Sequence, residues 1–184
     1  EVRKRRAAML AQRGQSSAAE DLWRALLRED PNDADADLAV EEFILGRSDG
    51  PELVKHLRER AGRLADDPER ADAYRAVRLR IAAVLEQRLG DPNAALLELQ
   101  DLLKTSPGNV SVRRFLADMY EQTDRMIEAA NLWKEIADAS PAEDSVSLQV
   151  RYLQALSAGG CPDEAADKAE ELYALHPEEL SILT

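Results

Sequence analysis

Between residues 110 and 141 the apolar positions fall into two stripes. Phe115, Leu116, Met119 and Tyr120 recur at i, i+1, i+4 and i+5, the spacing of one helical face. Thr123-Asp124-Arg125 interrupts the pattern, a second stripe runs through Ile127, Ala130, Trp133 and Ile136, and Ser140-Pro141 ends it. The pattern predicts two helices joined by a tight turn. It also recurs. An alanine or leucine is followed four residues on by a second core position at Ala19/Trp23, Leu53/Leu57, Ala95/Leu99, Ala129/Trp133 and Ala165/Ala169, with spacings of 34, 42, 34 and 36 residues. In four of the five a proline stands twelve residues past the first member: Pro31, Pro107, Pro141 and Pro177. Around Leu53 the proline comes later, at Pro68, which predicts a helix about one turn longer there. Since no stretch alternates with period two, no strand is expected. Internal repetition at this period means stacked supersecondary units, here hairpins at about 1–33, 34–68, 69–109, 110–143 and 144–178. Residues 179–184 are expected to begin a further helix or a cap.

Punctuation agrees with the stripes. All eight prolines sit at predicted boundaries, and Pro51, Pro92 and Pro162 fall where a second helix begins, a position that needs no backbone N–H. Asp67 and Asp91 precede prolines and suit N-caps. Gly14 and Gly90 fall in turns between paired helices, where a positive φ is cheap for glycine. Each hairpin has an apolar face that it cannot bury alone, so neighbours must stack.

The motif residues point to a family. FLADMYEQTDRMIEAANLWKEIADASP supplies Leu116, Ala117, Tyr120, Ala129, Trp133 and Pro141; LGDPNAALLELQDLLKTSP supplies Gly90, Ala95, Leu99 and Pro107. RGQSSAAEDLWRALLREDP supplies Gly14, Ala19, Trp23 and Pro31, and GGCPDEAADKAEELYALHP supplies Gly160, Ala165 and Pro177. At these places the chain resembles the tetratricopeptide repeat, and its alternating short and long periods are similar to some long bacterial arrays of that family. The unit at 34–68 departs most: Leu53 replaces the motif alanine, and Arg60 and Arg63 replace small apolar positions. The unit at 69–109 has a longer first helix, with its register open by one residue before Gly90.

The resemblance implies an all-α, right-handed superhelix of about five helical hairpins whose first helices line a concave groove. It also implies a scaffold that binds a peptide, a helix or a domain of another protein. Projecting the family's groove places onto this chain gives Lys4 and Gln12, then Glu86 and Gln87, then Arg114, Asp118, Glu121 and Gln122, then Gln154. Some family members hold a chaperone's C-terminal carboxylate in a lysine/asparagine/arginine clamp. Lys4 fits one place of that clamp, but Ala8 and Asp118 stand where neutral donors would help, which disfavours it.

Charge narrows the partners. The net charge is −12, yet it is uneven: residues 1–28 carry a net +4, through Arg3, Lys4, Arg5 and Arg6 above all, while residues 110–184 carry −9. An acidic surface argues against nucleic acid, since phosphates need a basic one, and suits a partner with a basic or mixed face. No apolar run reaches the ~18 residues of a membrane span. The single cysteine, Cys161, favours a reducing compartment and hence the cytoplasm. The chain starts at Glu1 without a signal-like segment and reads as part of a longer protein.

Catalytic chemistry finds little support. His56 and His176 belong to different units; His56 sits in a charged helix and is expected to be exposed, His176 to end a helix. Cys161 precedes Pro162 as a cap, without an orienting base. There is no Cys/His metal spacing and no phosphate-binding glycine loop, so neither cofactor nor metal nor enzyme activity is expected. Trp23 and Trp133 hold the aromatic place of second helices and are expected to be buried. The leading expectation is a non-catalytic interaction scaffold. Its alternative is a structural, self-associating module that stacks through its terminal helices.

Overall fold

A computed structural model describes residues 1–177, with the side chains of all of them except 142–144, so the helix or cap expected at 179–184 lies outside the described residues. Ten α-helices are present among those residues: α1 (Val2–Gln12), α2 (Ser16–Glu29), α3 (Ala34–Gly46), α4 (Gly50–Leu64), α5 (Ala71–Gln87), α6 (Pro92–Thr105), α7 (Val110–Gln122), α8 (Met126–Ala139), α9 (Ala142–Ala158) and α10 (Pro162–Leu175). A short 3-10 turn at Pro68–Arg70 precedes α5. No strand occurs in the described part, as the missing period-two pattern requires. The chain forms two compact units. The first runs from Glu1 to Gly90 and holds α1 to α5; the second starts at Asp91 and holds α6 to α10. Within each unit every helix packs on the next one in the chain. No helix of the described residues is long and apolar enough to cross a membrane.

The turns inside the hairpins share one device. Gly14, Ser48, Gly90, Asp124 and Gly160 all take a positive φ, between 57° and 92°, and each stands five residues before its α-helical anchor. After four of these helices the next N–H reaches back five residues, from Gln15 to Leu10, Asp49 to Ile44, Arg125 to Tyr120 and Cys161 to Leu156. That bond satisfies a carbonyl the helix end would leave orphaned. Ser48 and Asp124 adopt the left-handed conformation that favours glycine. Ser48→Gly is therefore expected to raise the stability of the first unit by about 0.5–1 kcal/mol, net of glycine's entropy. An unchanged or lowered melting temperature would contradict the reading of this turn.

Side-chain caps sit where sequence placed them. The Asp91 carboxylate accepts from the Ala94 N–H at the start of α6, and Asp67 accepts from the Glu69 N–H at the 3-10 turn. Asp33, Asp49 and Asn109 do the same for α3, α4 and α7. One expectation fails: α4 has 15 residues against 14 in α2, α6, α8 and α10, so it is not a turn longer. The late proline is displaced by the linker Ala65-Asp66-Asp67 and serves the 3-10 turn instead of closing α4.

Both cores consist of the repeated positions. In the first unit Ala19, Trp23, Val40, Ile44, Leu53, Leu57 and Ile81 are buried; in the second, Ala95, Leu99, Leu116, Met119, Ala129, Trp133 and Ile136. The small anchors let neighbouring helices approach, and the large residues four positions on fill the space between them. Ala169 is the exception, being exposed on α10.

Candidate functional site

On α7 the expected groove positions Arg114, Asp118, Glu121 and Gln122 recur at helical spacing and so share one face. Arg114 and Gln122 are exposed, Asp118 and Glu121 half-buried, and Gln154 on α9 is exposed. The two acids are not free. Arg151 on α9 reaches both, with its guanidinium 3.0 Å from an Asp118 oxygen and donating to Glu121 Oε2 at 2.8 Å. The Trp133 indole N–H donates to the other Glu121 oxygen at 2.6 Å, and the guanidinium carbon lies 3.9 Å from the centre of the Trp133 ring. Arg151 thus offsets one of the two negative charges and covers the tryptophan. Sequence reasoning missed it, although its place on the first helix after Trp133 was readable.

The arginine is partly exposed, so this network is worth modest energy. Arg151→Ala, made with Trp23→Phe to leave one reporter, is expected to red-shift Trp133 emission and cost about 1–2 kcal/mol. Unshifted emission would mean that the guanidinium does not cover the ring in solution.

In the first unit Lys4 donates to Asp33 at 2.7 Å and to Asp35 at 2.8 Å. These carboxylates, Asp33 foremost, hold the ammonium above the ordinary lysine value. Lys4 therefore links α1 to the start of α3. Arg3 is likewise engaged, by Glu29 on α2. Gln12 and Gln87 are exposed and Glu86 half-buried. Of the basic cluster, Arg5 and Arg6 remain at the surface.

The divergent unit at 34–68 hides a charged cluster. His56 was expected to be exposed but is 5% exposed, because it shares the inward face of α4 with Leu53 and Leu57. Its Nε2 lies 3.3 Å from Asp37 Oδ1, off the line of a hydrogen bond. Arg63 donates to the same oxygen at 2.6 Å, and Arg60 Nε lies 3.1 Å from Oδ2. Arg60 and Arg80 also flank the buried Glu41. Burial pushes the Asp37 carboxyl up, but His56, Arg60 and Arg63 outweigh it, so the carboxyl stays below the ordinary aspartate value. The arginines that break the repeat motif thus compensate buried acids on α3. In the cluster Arg60 and Arg63 oppose Asp37, and Arg60 and Arg80 oppose Glu41.

In the second unit a hollow lies between α9 and α10. It holds about 690 Å³ and is open to solvent. Leu153, Gln154 and Ala158 of α9 and Ala169, Leu172 and Tyr173 of α10 are among the residues that line it. This is where Ala169 stays exposed.

No family model matches the sequence, and no curated protein matches it closely. Solved structures do. A structure of nearly identical TPR-like repeats from a putative kinesin light chain of Podosopora anserina superposes with a TM-score of 0.58 at 17% identity, over 97% of this chain and 95% of that one. A tetratricopeptide repeat protein from Parabacteroides merdae gives 0.60 at 15% identity, over 97% and 67%. The pilF protein of Pseudomonas aeruginosa gives 0.52 at 17%, over 97% and 77%. The chain therefore has the helical-hairpin fold of tetratricopeptide-repeat proteins. At these identities the likeness speaks for the fold alone.

Proposed function

We propose that the chain is a non-catalytic scaffold that binds a peptide, helix or domain of another protein across the exposed face of its first helices. One observation carries the reading: in the second unit Arg114, Gln122 and Gln154 stay exposed beside acids already bonded to Arg151. That face is polar and nearly balanced in charge, so it suits a partner with a mixed surface better than a strongly basic one. The lone Cys161 fits work in a reducing compartment such as the cytoplasm. The test is capture of partners by the purified chain beside the triple variant Arg114→Glu, Gln122→Ala, Gln154→Ala. The reading expects a partner retained by the wild type and lost by the variant at equal helicity and melting temperature. Identical capture by both would contradict it.

A second reading, self-association, is favoured by a different observation, the open apolar hollow between α9 and α10. Hollows of this size and character take up apolar groups when they can.

A further inference from the structure

The hollow between α9 and α10 says more about its occupant than its size does. Its floor is low, because Ala158, Ala166 and Ala169 present only methyl groups beside Leu153 and Tyr173, so another helix can approach closely. One edge is acidic. Asp163, Asp167 and Glu170 on α10 are all exposed, and at about 100° per residue they run along one side of the line through Ala166 and Tyr173.

Helix α1 offers the complementary surface. Val2 and Met9 are 83% and 50% exposed and stand seven residues apart, nearly on one line along the helix. Arg6 and, at the end of α1, Arg13 are exposed on one side of that line, and Arg5 is exposed on the other. The basic residues of α1 that serve the fold, Arg3 and Lys4, are held by Glu29, Asp33 and Asp35. The arginines around Val2 and Met9 are the ones left facing water.

We propose that copies of the chain assemble head to tail, with α1 of one copy lying in the α9/α10 hollow of the next. Val2 and Met9 cover the alanine floor, while Arg6 and Arg13, on one side of that line, meet Asp163, Asp167 and Glu170. The proposal rests on the self-association reading and names its two surfaces. The contact is heterologous, so copies join head to tail into a closed ring or an open chain.

The experiment is sedimentation velocity on the purified 184-residue chain. The weight-average mass is expected to climb above that of the monomer with concentration. It should fall as salt rises from about 0.01 M to about 0.1 M, which shortens the screening length from ~30 Å to ~10 Å. Arg6→Glu with Arg13→Glu, or Asp167→Arg with Glu170→Arg, should each weaken association by more than about tenfold. An equimolar mixture of the two double variants should associate again, because each reversed end now matches the other variant. All four positions are exposed, and circular dichroism checks that the variants fold; Ala169→Arg, which fills the floor, gives an independent block. A wild type that stays monomeric at low salt overturns the proposal. If it is monomeric and the α10 amides resist exchange, the chain's own residues 178–184 cover the hollow instead. Association that ignores salt and both charge reversals also overturns it, since the copies then meet elsewhere. The charge reversals lie outside the lining of the hollow and leave Arg114, Gln122 and Gln154 unchanged, so their failure leaves the scaffold reading to its own test.

Discussion

Trp133→Ala is expected to lower the stability of the second unit by about 3–5 kcal/mol, the range for emptying a buried aromatic site. The side chain is 1% exposed, the most voluminous of the fully buried residues. Two further losses accompany the cavity. Glu121 loses the indole N–H that satisfies one of its oxygens, and Arg151 loses the ring beneath it. A half-buried carboxylate stripped of one donor keeps its bond to Arg151, so the polar part is the smaller share. Chemical denaturation should show the second unit's transition moving to lower denaturant with little change in slope. An unmoved midpoint would mean that Trp133 is not the core residue its place in the repeat implies.

In the first unit the largest effect is expected at Asp37. Asp37→Ala removes the carboxylate that opposes Arg63, Arg60 and His56, and leaves two guanidiniums without their shared partner. Breaking a buried pair costs about 3–5 kcal/mol. The low end applies here, because Arg60 and Arg63 keep 31% and 22% of their side-chain surface in water and can be rehydrated. The same group predicts a pH dependence. Its folded value lies below the ordinary one, so the charged form is the one favoured by folding. Its contribution is complete above the unfolded value, about pH 4, and is lost as pH falls through the folded value. Acidification below about pH 4 should therefore destabilise the wild type more steeply than Asp37→Asn. Parallel acid titrations of the two proteins would contradict the assignment.

These two residues mark what was legible in the sequence and what was not. Trp133 could be read because a repeated packing position carries a periodic signal: its stripe, its anchor Ala129 and its closing Pro141 recur in other units. The turn residues show the same thing more finely. Gly14 and Gly90 advertise a left-handed turn, while Ser48 and Asp124 occupy the equivalent place without the composition that would announce it. His56 was misplaced because a charged helix was taken as a solvated one. Charge in a sequence does not reveal whether opposite charges on the neighbouring helix await it, and here Asp37 and Glu41 do. The candidate groove positions come from the family resemblance, and their electrostatic character is not legible in it. Asp118 and Glu121 count as two free acids in a sequence, but Arg151 folds over both and offsets one of their two charges. Lys4 is the same lesson with the sign reversed, since Asp33 and Asp35 claim it. Repetition encodes packing; the pairing of surface charges is set by contacts that repetition does not specify.

The central claim is that the repeated positions hold the fold while the first-helix face meets the partner. Site-specific photocrosslinking tests it most directly, with the reactive group placed at Gln122 on α7 or at Asn131 on α8, both exposed. The account predicts a crosslinked partner from position 122 and none, or a different background set, from position 131. The same partner captured with equal yield from both positions would contradict it.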